Sequence, residues 1–292
     1  TPLIVVVQRM FTATDSFPSL AVPLFMVAGN LMETGGISRR LINFCNSILG
    51  WLPGGLGMAA ILTCMFFAAI SGSGPATVAA IGGIMIPEME KAGYDKAFAA
   101  ALMAVSGAIG VIIPPSIPMV NFGVVGSVSI ATLFAAGFGP GILVGLALMI
   151  VTFITAKKNG YGLAVKQKFS IVNVGKEFIK AFWALLMPVI ILGGIYGGIF
   201  TPTEAAAVAV IYGFLVGLVI HRELKITRIP ALFMAAGKST AMVMMIIASA
   251  SGFGWILTSA RIPDVIASAM LGISSSKIVI LLLINIMLLI VG

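Results

Sequence analysis

The chain has 292 residues, of which 60% are hydrophobic and 9% charged, with a formal net charge of +8. No charge falls between Arg40 and Glu88, between Lys96 and Lys157 or between Lys180 and Glu204, so these stretches cannot cover a soluble surface. A hydrocarbon core takes about 20 apolar residues per helix, and the runs are continuously apolar instead of alternating, which excludes a β-barrel and makes the class all-α and polytopic.

A first helix is predicted over 18–35. Residues 38–50 (SRRLINFCNSILG) are too short and polar to span and read as an amphipathic helix lying in the interface. Residues 55–87 follow, interrupted by Ser71 to Thr77 (SGSGPAT), then 97–127, interrupted by Ile113 to Pro118 (IPPSIP), then a helix over 130–156. The longest polar stretch, 157–180, reads as a linker between two halves. Helices are predicted at 181–200, 205–220 and 230–259, followed by a second interfacial segment at 262–272 and an apolar helix running to Gly292. Thr1 opens the chain abruptly and Gly292 closes it within an apolar run, as in a fragment cut at both ends.

If 55–87 is a hairpin that enters and leaves on one side, every basic loop can be given a side. One side receives Arg39, Arg40, Lys91, Lys96, Lys157, Lys158, Lys166, Lys168, Lys176, Lys180, Arg222, Lys225 and Arg228, and the other Arg9, Arg261 and Lys277. Lys238 lies within a helix, close enough to its basic end to snorkel. The asymmetry marks the first side as cytoplasmic and reads the basic charge as topological, not as a nucleic-acid surface. After the linker the element order begins again in the opposite orientation. Residues 1–156 thus read as one inverted repeat and 181–292 as a second, incomplete one that stops in the first limb of its own hairpin.

Irregular backbone at membrane depth must be buried in protein or line an aqueous cavity. Carbonyls around Ser71–Thr77, with the hydroxyls of Ser71, Ser73 and Thr77, offer hard neutral oxygens suited to Na⁺; the same pattern also describes a small-residue helix contact with a Pro kink. Pro114 and Pro115 remove two donors and free carbonyls around Gly110 to Ile113, so a second helix is broken at depth. Two such breaks in one half match secondary transporters, which bind ion and substrate at half-helix ends, and half-helix N-termini favour an anion. Thr201-Pro202-Thr203-Glu204 reads as a helix cap. Asn30, Asn121 and Asn285 read as interhelical amides, with a substrate contact open to Asn121. His221, beside Arg222, reads as solvated, and Cys45 and Cys64 as apolar fillers.

No nucleotide, metalloprotease or nucleophile motif is present: Gly237-Lys238-Ser239 has Leu232 where a phosphate loop needs Gly. Uphill transport would then draw on an ion gradient. A channel, or an ion-coupled carrier working without a binding protein, is the alternative reading.

The runs FFAAISGSGPATVAAIGGIMIP (66–87), MEKAGYDKAFAAAL (89–102) and IGVIIPPSIPMV (109–120), with LAVPLFMVAGNLMETGGI (20–37) and GGIFTPTEAAAVAV (197–210), resemble the large membrane subunit of tripartite ATP-independent periplasmic (TRAP) transporters. The resemblance implies a scaffold with a mobile, elevator-like transport domain in the bacterial inner membrane. It also implies sodium-driven uptake of organic acids such as C4-dicarboxylates or sialic acids, a periplasmic binding protein and a small membrane subunit as partners, and no nucleotide. By motif it assigns sodium to Ser71, Gly72, Ser73, Thr77, Gly110, Ile113, Pro114 and Ser116, and substrate contacts to Ser73, Pro115, Ser116 and Asn121.

Overall fold

The computed structural model describes residues 3–162 and 168–291; Lys166, assigned above to the cytoplasmic side, and Gly292 lie outside the described residues. The described residues are helical throughout: α1 (Leu3–Thr14), α2 (Ala21–Thr34), α3 (Ile37–Leu49), α4 (Gly55–Ser71), α5 (Gly74–Thr77), α6 (Gly83–Lys91), α7 (Lys96–Ala108), α8 (Ile117–Gly126), α9 (Ile130–Asn159), α10 (Ile171–Tyr196), α11 (Pro202–Phe214), α12 (Ile229–Ser259), α13 (Ile262–Ile273) and α14 (Lys277–Val291). A π-helical turn, Val78–Gly82, joins α5 to α6 without a gap, and another, Leu215–Ile220, extends α11. Among the described residues four helical stretches are long and apolar enough to cross a membrane: Ile130–Asn159, Ile171–Tyr196, Pro202–Ile220 and Ile226–Ser259.

Two compact units result, Ser16–Val243 and Thr1–Asp15 with Met244–Gly292. In the smaller unit α1 packs on the C-terminal part of α12, where Gly252 leaves room for Met10 and Val6. Within the larger unit α4 is buried on nearly every face. Around it lie α2, α3, α7 and α9, with α10 and α11 packed on one another beyond α3 and α2. Tyr212 Oη donates to Trp183 O at 2.8 Å, tying α11 to α10.

The two ends of the hairpin meet. Tyr94, just after α6, accepts a hydrogen bond from Gly57 N–H at the start of α4 (3.2 Å) and stacks on Tyr161 after α9 (5.3 Å between ring centroids). Gly162 N–H donates to Ala92 O at 3.2 Å. The segment that starts in α4 therefore returns to its own starting end, as a re-entrant hairpin must, and the loops at 92–95 and 160–162 share that end.

Helix α9 clamps the broken helix. Gly137, Gly141 and Gly145 recur every four residues on one face; a Cβ on Gly137 would strike Ile112 O, one on Gly141 would sit 2.5 Å from Ile113 Cγ1, and one on Gly145 would strike Met65 Sδ. Small residues at that spacing are how membrane helices approach closely.

Three expectations change. Helix α10 begins at Ile171, not at 181, because Ser170 caps it (Asn173 N–H to Ser170 Oγ, 3.4 Å) and its charged first turns carry the Lys180–Glu177 ion pair; the helix projects past its apolar part, which hydropathy alone does not reveal. His221 is not solvated but half-buried: its Nδ1 lies 3.1 Å from Gly35 O, while Nε2 is buried without a partner among the described residues. Beside it Arg40 pairs with Glu223 (2.6 Å) and donates to Gly36 O (2.8 Å), so the loop after α11 fastens the corner between α2 and α3. Asn285 donates to Leu281 O of its own helix, and neither Asn30 nor Asn121 makes an interhelical amide bond among the described residues.

Two outcomes follow from this packing. Gly137→Val, which must displace the Ile112 carbonyl, lowers stability by about 1–3 kcal/mol in thermal unfolding of the purified protein, whereas Gly139→Ala, with nothing within 4 Å, leaves it unchanged. Burial, partly opposed by the Gly35 carbonyl, lowers the His221 pKa below its ordinary value. The unfolded chain then takes up the proton first, so stability decreases as pH falls below about 6.5 and levels off under the lowered folded value. His221→Gln removes this part of the pH dependence, read from melts between about pH 5 and pH 8.

Candidate functional site

Both breaks restart by one device. Ser73 and Ser116 are N-caps in extended backbone, each followed two residues later by proline, Pro75 and Pro118. Their hydroxyls accept from the Ala76 N–H (3.5 Å) and the Met119 N–H (3.4 Å). Proline in the first helical turn starts a helix instead of breaking it. The hairpin interruption is accordingly shorter than the sequence suggested, Gly72 and Ser73, whereas the other starts earlier, with a 3₁₀ turn, Ile109–Val111, ahead of Ile112 to Ser116.

The two breaks are seated on each other. Ile117 N–H donates to Gly72 O at 3.0 Å, so a backbone donor of one break satisfies a backbone acceptor of the other. Gly72 has φ +62°, and a Cβ there would come 2.7 Å from Pro115 O; the conformation and the contact both require glycine. One turn away, a Cβ on Gly110 would meet Thr77 Oγ1 at 2.9 Å and Ser73 O at 3.0 Å, and one on Gly74 would meet Gly107 O at 3.0 Å. Backbone thus faces backbone along the whole contact.

Oxygen atoms concentrate there. Ser71 and Thr77 are buried, with their hydroxyls 3.1 Å apart, and Thr77 Oγ1 donates to Ser73 O at 2.8 Å. Each of these hydroxyls keeps lone pairs after donating, so the donor set is neutral oxygen from side chains and carbonyls. No group of three or more His, Cys, Asp or Glu that could hold a metal ion occurs among the described residues. That inventory fits a hard monovalent cation better than a transition metal or Ca²⁺.

The remaining residues assigned from sequence sit around this centre in different ways. Ser116 is buried one residue past Pro115, but its hydroxyl is engaged with Val111 O at 2.7 Å as well as in capping. The Ile113 side chain turns toward Gly141 of α9, leaving only its backbone for the break, and Pro114 is buried. Asn121 lies farther along α8, half-buried, with Oδ1 buried and unpartnered among the described residues.

Two polar residues that the sequence reading did not assign to the site, Asn30 and Ser239, border it. A cavity of about 50 Å³ at the hairpin tip is lined by Ser71 and Ser73, by Met26 and Asn30 of α2, and by Ser239 of α12. Asn30 reads in sequence like any other amide in an apolar helix; only the neighbouring Gly29, which brings α2 against Ser71, hints at its place.

A family model described as "Tripartite ATP-independent periplasmic transporter, DctM component" matches residues 1–292. The chain is 50% identical over 291 residues to the isethionate TRAP transporter permease protein DctMQ of Oleidesulfovibrio alaskensis, covering 100% of this chain and 46% of that one. It is 45% identical to the C4-dicarboxylate TRAP transporter large permease protein DctM of Pseudomonas aeruginosa, covering 97% and 66%. It is 40% identical to the sialic acid TRAP transporter large permease protein SiaM of Vibrio cholerae, covering 98% and 66%. The chain therefore spans about half to two thirds of the length of these relatives. With its apolar helices and this match over residues 1–292, the chain is a multi-pass inner-membrane protein that belongs to the DctM component family of tripartite ATP-independent periplasmic transporters.

Proposed function

We propose that the chain is the ion-binding part of a sodium-driven importer that receives a small organic acid from a periplasmic binding protein and is completed by a small membrane subunit. The observation that carries this reading is the interlock of the two breaks. It gathers neutral oxygens at one buried point and fastens hairpin to broken helix through Ile117 N–H and Gly72 O (3.0 Å). Sodium, as the coupling ion, would be held by the hydroxyls of Ser71, Ser73 and Thr77, the Ser73 carbonyl and the backbone near Gly110. The names of the relatives favour an organic anion as substrate: isethionate, a C4-dicarboxylate or sialic acid in those proteins.

Interlocked segments move together. In this reading α4 to α8 travel as one body, while α2, α10 and α11 form the scaffold, as befits α10 and α11 tied to each other by Tyr212 and carrying no backbone break. The amphipathic α3, with Ile37, Leu41 and Cys45 buried and Arg39 exposed, joins the two as an arm. Alternating access by rigid movement of one body against another is common in transporters with inverted repeats.

Sodium dependence of uptake in the full-length transporter tests the assignment. Ser73→Ala removes one oxygen and raises the sodium concentration for half-maximal uptake by about three- to tenfold; Gly110→Ala, which pushes on Thr77 Oγ1 and Ser73 O, raises it on the order of tenfold or more. Wild-type sodium dependence in both variants would leave packing as the reason for the pattern. Thr201→Ala is the control: Thr201 and Glu204 form a complete capping box, so its loss costs about 1 kcal/mol of stability without shifting the sodium curve.

A further inference from the structure

The cavity at the hairpin tip has three walls from distant parts of the chain. Helix α2 lies on the first limb of the hairpin, where a Cβ on Gly29 would come 3.2 Å from Ser71 Cα. Helix α12 is held to α2 by Thr240 Oγ1, which reaches Met26 Sδ at 3.5 Å. These contacts bring the Asn30 amide and the Ser239 hydroxyl to the same space as Ser71 and Ser73. Among the described residues no side-chain hydrogen bond engages Asn30 or Ser239. The Ser73 hydroxyl is committed only to a long cap bond of 3.5 Å. Half-buried polar groups with no side-chain partner among the described residues, converging on one small recess, are the arrangement of a ligand site.

Size and charge narrow the ligand. A water needs about 10–15 Å³, so about 50 Å³ holds a few waters or one carboxylate or sulfonate group, but not an entire organic acid. Among the described residues no charged side chain lines the cavity, and amide N–H and hydroxyl groups can all donate to an oxyanion. Asn30 also borders a wider, open groove of about 400 Å³, lined beyond it by Glu33, Thr34, Arg228 and Leu232. That space accommodates the rest of the molecule.

We propose that Asn30 and Ser239 are substrate-binding residues that hold the oxyanion of the transported acid against the hairpin tip, with its carbon skeleton running past Asn30 into the groove that ends at Arg228. The inference rests on the sodium reading above for the counter-charge, since the cavity itself supplies only neutral donors. Glu33 and Arg228 place one charge of each sign in the groove, so discrimination for the oxyanion falls on the neutral donors and the adjacent ion.

Cysteine chemistry in the full-length transporter with its small subunit tests this directly. With Cys45 and Cys64, both buried, replaced by alanine, Ser239→Cys and Asn30→Cys are treated with the anionic reagent 2-sulfonatoethyl methanethiosulfonate and its cationic trimethylammonium counterpart, with rates normalised to free cysteine. The anionic reagent is expected to react at least about tenfold faster, in sodium buffer, and isethionate or succinate should slow it. Equal rates, a faster cation, or a thiol that neither reagent reaches would overturn the proposal. In parallel, Asn30→Leu should raise the KM for whichever of these two acids is transported by about tenfold with the sodium half-saturation unchanged; an unchanged KM would also overturn it. Anion preference that survives while Ser73→Ala and Gly110→Ala leave sodium dependence untouched would sink the sodium reading alone.

Discussion

The rest of the structure depends on one constraint: backbone polar groups at membrane depth must find partners inside the protein, because lipid offers none. Each broken segment leaves donors and acceptors unpaired, and neither could be buried alone without cost. The Ile117 N–H to Gly72 O bond resolves this by turning two defects into one contact. Glycine permits it, at Gly72 through its positive φ, at Gly74 and Gly110 through close approach to neighbouring backbone or hydroxyls, and at Gly107 through close approach to the Val78 side chain. The oxygen-rich centre is a by-product of the same geometry, since carbonyls and small hydroxyl side chains are what remain where larger residues cannot fit.

Packing around this contact explains the surrounding helices. Gly137 and Gly141 let α9 brace the broken helix, Gly145 lets it meet Met65 of α4, and Gly29 lets α2 lie against Ser71. At the far end Tyr94, Phe98 and Tyr161 form an aromatic cluster that closes the base of the hairpin. The hairpin is thereby supported at tip and base. Its limbs remain free of ion pairs among the described residues until Lys96 and Glu90 near the base, so little but shape and backbone bonding fixes the tip.

Much of this was legible in the sequence, and the failures share a cause. Charge-free runs located the helices, and Pro114-Pro115 marked a true break because two successive donors are lost there. Pro75 and Pro118 looked like further breakers, yet each stands two residues after a capping serine; reading Ser73-Gly74-Pro75 and Ser116-Ile117-Pro118 as helix starts gives the observed boundaries. Local chemistry thus held the answer for the site's backbone. It did not for His221, whose partner Gly35 lies 186 residues away, nor for Asn30 and Ser239, which meet only through the fold. Their roles depend on tertiary neighbours that no window of sequence contains.

The central claim, that the two interlocked breaks jointly hold the coupling ion, is tested most directly by determining the structure of the full-length transporter at high resolution in sodium and again in a large organic cation that cannot replace it. The account predicts density ringed by Thr77 Oγ1, the Ser73 carbonyl and the backbone near Gly110 in sodium alone, with the Ile117 to Gly72 bond present in the sodium form. An identical site in both conditions, with protein atoms filling that point, would contradict it.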